Sequence, residues 1–454
     1  MKLIASMIVL ATASAASVMA HADQAESKGF IEDSSLKLLN RNFYFSREYR
    51  HGETNNAGRN AFKAKADRNG YNQEWVDAIS ATYNSGFTQG LVGFGLDAYS
   101  YYAFALDTGG GRTGTGNMMI GADGHPEDSM SKSGGALKMR ISDTTFRYGT
   151  MSTSAPVFAA HGSRVFPATV RGLNITSSEI KDLDLEFGHF TAGSGSREGK
   201  TDGRLSTTYS PYTSVNNLDV EEVNYLGGLY KINDELNFTL YGSDFKDVWH
   251  QYYGNANYTK ALSKNQSLLL DFNIYKTNDS GDAKLGPINN VIWSMQGGYT
   301  YSAHTFTLAW QQVHGDTPFD YLGFGDKSSG DSIFVANSVS WSDFNAPGEK
   351  SWQARYDLNL KTYGVPGVSF MARYLKGWDI DGSHTPTNSA FYQFYGEDAR
   401  HHELDLWARY VVQSGSAKDL SFRLQYAIHR ANAAQGDGNI DETRLIVDYP
   451  INVF

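Results

Sequence analysis

Arginine recurs on one side of a row of alternating segments near the end of this chain, and that spacing suits the handling of carboxylates. Arg355, Arg373, Arg409, Arg423 and Arg444 each sit in a segment whose side chains alternate between apolar and polar. In SWQARYDLNL, Trp352, Ala354, Tyr356, Leu358 and Leu360 share one side, while Ser351, Gln353, Arg355, Asp357 and Asn359 share the other. VSFMARYL, ELDLWARYVV, LSFRLQYAI and TRLIVDYPI repeat the arrangement, and the earlier LKMRISDTTFR sets Lys138 and Arg140 opposite Leu137, Met139 and Ile141. A guanidinium is planar, keeps its charge at physiological pH and pairs with a carboxylate through two bonds. At ~4 Å such a pair gains about 4 kcal/mol at an effective dielectric near 20, and about 1 kcal/mol in bulk water. One strong site would trap an anion, whereas several similar sites in succession let it step from one to the next.

A period of two is the period of a β-strand, whose successive side chains leave on opposite faces. Two settings fit. In a soluble sandwich the apolar face is the core. In an outer-membrane barrel it meets lipid, and the polar face lines an aqueous lumen. If the strands form a barrel, the arginines must face inward. One arginine on the lipid face near the midplane costs ~2–4 kcal/mol, so slipping five such strands by one residue would cost on the order of 10–20 kcal/mol.

The start of the chain favours export. MKLIASMIVLATASAASVMAHADQ has a lysine, a short apolar run and a small-x-small site at Ala20-His21-Ala22. It reads as a secretory signal spanning 1–22 and removed on export, which leaves 23–454 as a single domain. The apolar run is too short to span a bilayer as a helix. Cysteine is absent, so stability has to come from the fold rather than from disulfides. A closed barrel meets that demand because it leaves no strand edge unpaired. Aromatics make up 13%, with 28 Tyr and 25 Phe, enough for girdles at both membrane interfaces. The net charge of −10 argues against a nucleic-acid partner.

Strand patterns recur along the whole chain. They run through Gly29–Arg50, where Leu36 and Leu38, and then Phe43 and Phe45, are spaced by two, then Trp75–Tyr83, Leu91–Leu106, Ala136–Arg147 and Leu183–Phe190, and densely from Val220 to Asn278. Between them lie polar, glycine-rich stretches, and Ile333–Trp341 leads into the arginine-bearing segments. Gly149–Glu179 breaks the alternation, is moderately apolar and carries two prolines. A loop this long inside a compact protein is usually functional, and in a porin-like barrel it would fold inward. The count implied is roughly 16 to 18 strands.

Enzyme chemistry is poorly supported. Ser163 and His161 are close in sequence, but Gly-x-Ser-x-Gly is absent. His401-His402-Glu403 has metal-ligand residue types, yet adjacent strand residues point to opposite faces, so a surface pair is expected. The glycines between Gly109 and Gly116 lack the βαβ context of a nucleotide loop.

GFIEDSSLKLLNRNFYFSREYR, SGFTQGLVGFGLDAY, SAPVFAAHGSRVFPATVRG, NSVSWSDFNAPGEKSWQARYDLN, GEDARHHELDLWARYVVQSGSAKDLSFRLQYAIHRA and ETRLIVDYP resemble the OprD-type outer-membrane porins, or outer-membrane carboxylate channels. The resemblance covers essentially the whole mature chain. It implies an all-β, up-and-down antiparallel barrel of 18 strands, monomeric or loosely trimeric. Such a barrel would sit in the lipid and lipopolysaccharide of a Gram-negative outer membrane, without cofactor or metal. It implies passive uptake of small carboxylate-bearing solutes, basic amino acids and related small peptides in one branch and aromatic or cyclic carboxylates in another. Entry of carbapenems, which carry a carboxylate and an amine, is also implied. A general diffusion porin is the competing reading.

By resemblance, the basic ladder maps to Arg355, Arg373, Arg409, Arg423 and Arg444, with Lys138 and Arg140 as earlier steps. The inward loop maps to Gly149–Glu179 with Arg164 near its tip, and the acidic side of the constriction to Asp316, Asp320 and Tyr321 in HGDTPFDY. In one departure, Phe454 falls on the opposite parity from Leu445, Val447, Tyr449 and Ile451, so the last strand is expected to bend or end near Pro450.

Overall fold

The computed structural model describes residues 23–160, 162–324, 328–329 and 333–454. The leader expected at 1–22 and His161 lie outside them. Eighteen long strands form one sheet. They are β1 (Ser35–Tyr49), β2 (Tyr71–Asn84), β3 (Val92–Asp107), β4 (Ser129–Ile141), β5 (Thr144–Met151), β6 (Thr169–Ile180), β7 (Leu183–Ser194), β8 (Val223–Lys231) and β9 (Leu236–Phe245). The second half comprises β10 (Trp249–Ser263), β11 (Gln266–Asp279), β12 (Asn289–Tyr301), β13 (His304–His314), β14 (Lys350–Asn359), β15 (Val368–Ile380), β16 (Ala399–Val411), β17 (Ser421–Ala431) and β18 (Ile440–Asn452). Each pairs antiparallel with its neighbours in chain order, and β18 closes the ring on β1 from Lys37↔Asn452 to Tyr49↔Ile440. Closure gives every strand a partner on both sides and removes the edges an open sheet would expose.

The two faces sort as the alternation predicts. Leu240 and Leu308 are each 68% exposed on the outer wall, and Phe370, Leu406, Tyr410, Phe422, Leu424 and Leu445 are exposed there too. Ser351, Gln353, Arg355, Arg373, Gln425 and Glu442, on the opposite parity, are buried within the barrel. A surface apolar on the outside and polar within matches a lipid solvent rather than water. No helix among the described residues is long and apolar enough to cross a membrane, so the crossing elements are the strands.

Tight turns such as 142–143, 181–182, 264–265 and 302–303 join strands at one end, and loops such as 195–222 and 315–349 join them at the other. Asp182 and Ser302 take positive φ in two of these turns. Short turns face the periplasm and long loops the exterior in outer-membrane barrels.

Three expectations need correction. The stretch Gly149–Glu179 is not one loop: Gly149–Met151 finishes β5 and Thr169 onward is β6, so the loop proper is 152–168. In TVRGLNITSSEI, Leu173 and Ile175 alternate with Asn174 and Thr176, which makes that second half a strand, and the prolines lie outside it. Ile333–Trp341 is not strand but part of an inward-folded loop. The last strand does not end near Pro450; its pairing with β1 runs in register through Leu39↔Pro450 to Asn452. Beyond Asp448 it has no partner on the β17 side. Val453 donates to Leu36 on the β1 side, and ladder bonds alternate between sides, so the donor that Pro450 lacks belongs to the unpaired side.

Candidate functional site

Two loops fold into the barrel. Loop 152–168 crosses the bore between strands about halfway round the ring from each other. At one side Tyr275 Oη on β11 donates to Pro156 O at 3.1 Å, and Phe158 stacks on Phe190 at 5.0 Å. At the other, Arg41 Nη1 on β1 donates to Arg164 O at 3.1 Å, and Arg164 Nε donates to Thr115 O at 2.9 Å. Loop 315–349 is pinned from β13 and β16. Gln311 Nε2 donates to the carbonyls of Asp343 and Phe344, and Glu403 accepts the N–H groups of Trp341 and Ser342.

The guanidiniums gather on one wall. Arg409 on β16 faces Arg423 on β17 in register. Arg444 on β18 and Arg41 and Arg47 on β1 follow round the seam, and Arg164 reaches in from the loop. The Phe45 ring is their common platform: Arg444 lies 4.7 Å, Arg164 5.2 Å and Arg47 5.3 Å from its centroid. The ring of Trp341 also covers Arg47, at 4.2 Å. Aromatic faces attract guanidiniums and hold them without cancelling their charge. Two carboxylates on this wall pair with the group. Glu442 binds Arg47 at 2.7 Å and Arg444 at 2.6 Å, while Asp448 binds Arg41 at 2.7 Å and Arg423 at 3.5 Å. Arg409 is exposed and pairs with no carboxylate among the described residues.

The other residues singled out from sequence fall elsewhere. Arg355 and Arg373 face each other in register and point inward, but each is neutralised: Arg355 grips Asp357 through two bonds of 2.7 Å, and Arg373 binds Asp405 at 2.6 Å. Lys138 and Arg140 sit near the periplasmic end of β4, both over the ring of Phe87, at 5.0 and 4.2 Å. Lys138 is bound to Asp97 at 2.5 Å. Asp316 is exposed just past β13, its carbonyl taking the Thr385 hydroxyl, and is not brought to Asp320.

Asp320 and Tyr321 do come together, around Tyr209 and Asp343. Asp320 Oδ1 accepts the N–H groups of Tyr209 at 3.1 Å and Tyr321 at 2.8 Å, and its other oxygen is buried with no hydrogen-bond partner among the described residues. Burial pushes the Asp320 carboxyl up to about 7. Asp343 accepts both tyrosine hydroxyls at 2.9 Å, and burial raises its carboxyl as well. Three residues before it, Ser340 O accepts Arg444 Nη2 at 3.2 Å, so this acidic patch abuts the upper end of the basic wall.

The sequence reading missed Arg41, Arg47, Phe45, Glu442, Asp448, Trp341 and Asp343. The available signal was parity: Arg41, Phe43, Phe45 and Arg47 share one face of β1, so the two phenylalanines lie inside with the arginines, not on the lipid side with Leu36 and Leu38. The expected surface pair His401-His402 also needs correcting. The two do leave β16 on opposite faces, but His401 is buried inside, bonded to Glu349 and His429.

A family model for outer membrane porins of the OprD family matches residues 28–453. The chain belongs to the OprD family of outer-membrane porins. It is 53% identical to Porin D of Pseudomonas aeruginosa over 95% of this chain and 94% of that one. It is 30% identical to the porin-like protein GalP of Pseudomonas putida, over 95% of each. The crystal structure of Pseudomonas aeruginosa OprD superposes with a TM-score of 0.80 at 50% identity, covering 95% of this chain and 99% of that one. That of OpdK with vanillate superposes at 0.78 with 27% identity, covering 93% and 100%. Members of this OprD family are channels, not enzymes, so the protein is a substrate-specific porin of the Gram-negative outer membrane that passes small solutes.

Proposed function

We propose that this OprD-family porin takes up small carboxylate-bearing solutes passively, basic amino acids and related small peptides foremost. The observation that carries the reading is the imbalance on the basic wall: Arg41, Arg47, Arg423 and Arg444, from β1, β17 and β18, share Glu442 and Asp448, and Arg409 on β16 pairs with no carboxylate among the described residues. A carboxylate moving down this wall would exchange one guanidinium for the next, from Arg47 and Arg444 at the outer end to Arg423 and Arg409 at the periplasmic end. Sites of similar strength in sequence support both selectivity and throughput. Asp343, beside the outer end of the wall, would receive an ammonium or guanidinium. A solute with both charges would thus be oriented, its anion toward the arginines.

A second reading is uptake of aromatic or cyclic carboxylates; it is favoured by the vanillate in the crystal structure of OpdK, a more distant relative. A general diffusion porin is a third. Uptake into liposomes carrying the purified protein, with labelled arginine competed by benzoate and pyroglutamate, separates them. Saturable arginine uptake that excess benzoate barely inhibits is the expected result. Stronger competition by benzoate supports the second reading, and uptake that never saturates supports the third.

A further inference from the structure

Below the extracellular mouth, three side chains from three elements turn their ligand atoms toward one another. They are His401 of β16, His429 of β17 and Asp437 of loop 432–439, and one ligand atom from each lies within 4.8 Å of the others. Both imidazoles are buried, at 3% and 0% exposure. Every outward-facing atom of the group is already held. His401 Nε2 bonds to Glu349 Oε1 at 2.6 Å, and His429 Nδ1 donates to Gly438 O at 2.7 Å. Asp437 Oδ2 accepts from Ser342 Oγ and Gln435 Nε2, both at 2.7 Å. Phe344 stacks on His401 at 4.1 Å and fixes its plane.

That leaves His401 Nδ1 and His429 Nε2 facing each other at 2.8 Å. Because Gly438 O can only accept, His429 carries its proton on Nδ1, and His401 supplies the single proton between the rings. Histidines whose outer nitrogens are oriented by a carboxylate and a backbone carbonyl, with inner nitrogens converging, have the surroundings that metal-ligating histidines have.

We infer that His401, His429 and Asp437 form a site for a borderline divalent cation of the Zn²⁺ class. On binding, the ion takes Nδ1 of His401, Nε2 of His429 and a carboxylate oxygen of Asp437. The proton between the rings leaves to solvent, and water fills the fourth position. The two nitrogens need to separate only to about 3.3 Å, the span of two bonds of ~2.05 Å at a tetrahedral angle. Two imidazoles and one carboxylate suit Zn²⁺ and its neighbours in the first transition row over Ca²⁺ or Mg²⁺. The bound ion regulates the channel. Asp437 is tied to Ser342, and its carbonyl accepts from Trp341 Nε1, the ring that covers Arg47, so the ion braces loop 315–349 over the outer end of the basic wall.

The test is calorimetric titration of the purified full chain in detergent with ZnCl2, and with CaCl2 alongside, together with single-channel recording under the same additions. One Zn²⁺ per chain and a Zn²⁺-dependent change in conductance are expected, with Ca²⁺ producing neither. His429→Gln keeps a donor for Gly438 and an acceptor for His401 but loses the ligand nitrogen. Asp437→Asn changes a partly exposed loop residue and keeps the test open if the first variant fails to fold. Each should weaken Zn²⁺ binding by more than about tenfold and abolish the conductance response. No binding by the unmodified chain, equal binding of Ca²⁺, or undiminished Zn²⁺ binding in the folded variants overturns the assignment.

Discussion

Arg47 and Arg444 grip one carboxylate, Glu442, at 2.7 and 2.6 Å, from the two strands that meet at the barrel's seam. Both also rest on the ring of Phe45. The shared acid cancels one of the two charges, and the ring cancels neither. The wall therefore keeps a net positive charge where the inward loops narrow the bore, and the geometry of those guanidiniums is set by an ion pair and an aromatic face together.

Replacing Glu442 by Gln removes the shared acid and leaves both cations in place. Breaking a buried pair by neutralising one partner typically costs ~3–5 kcal/mol, and Glu442 is only 2% exposed. The variant is expected to unfold at lower urea in micelles and to shift the reversal potential of a KCl gradient toward chloride. An unchanged reversal potential would show that Glu442 does not set the charge seen by permeating ions.

Arginines on this barrel are not equivalent. Arg423→Ala and Arg409→Ala should lower uptake of arginine or glutamate several-fold more than uptake of a neutral sugar, since both belong to the under-neutralised wall. Arg355→Ala should affect the two solute classes alike, because its charge is already held by Asp357 through two bonds. Liposome uptake of both solutes by the three variants decides it. A selective carboxylate defect in Arg355→Ala as large as that in Arg423→Ala would mean that solutes can break the Arg355–Asp357 pair.

How much of this was legible follows from what sets each feature. The barrel was readable because strict alternation with arginine on the polar side admits one low-cost orientation in lipid, and five strands repeat it. The Arg355–Asp357 pair was readable too, since residues two apart share a strand face. The Arg373–Asp405 pair was not, because it depends on the register of β15 against β16. Nor were Arg41 and Arg47: Phe43 and Phe45 between them look lipid-facing, and only the inward loops, which bury them, make an apolar lumen patch tolerable. Asp343 escaped because its neighbours Tyr209 and Tyr321 come from two loops far apart in sequence.

Asp320 makes stability depend on pH in a predictable direction. Its carboxyl is held near 7 in the folded barrel by burial, against ~3.9 in an unfolded chain, so the folded state binds that proton more tightly. The cost of burying the ionised form is full above pH 7. It is relieved progressively as pH falls from 7 toward 4, so stability rises on acidification through that window, by up to ~4 kcal/mol from this group. Urea unfolding in micelles at pH 5 and pH 8 should show a larger gain on acidification for the native chain than for Asp320→Asn, which carries no titrating group there. Equal gains for the two chains would mean that Asp320 titrates as an ordinary carboxylate.

Lys132 tests whether the constriction loop is held by its ends. The side chain is 1% exposed on β4 and has no carboxylate partner within bonding distance among the described residues; it donates to Pro167 O at 3.2 Å and Gly195 O at 2.5 Å. It thereby ties the last turn of loop 152–168 to the start of loop 195–222. Lys132→Met keeps the volume and removes the charge. Two buried carbonyls then lose a donor, at ~1.5–3 kcal/mol for a bond to a charged group, while the desolvation cost of the buried ammonium disappears. These terms oppose each other, so global stability should change little. The local tether has no such compensation. Single-channel records of the variant should therefore show more frequent transitions between conductance levels and a wider mean opening, with the unfolding midpoint close to that of the native chain. A quiet channel of native conductance would place the restraint on the loop at its other anchors, Tyr275–Pro156 and Arg41–Arg164.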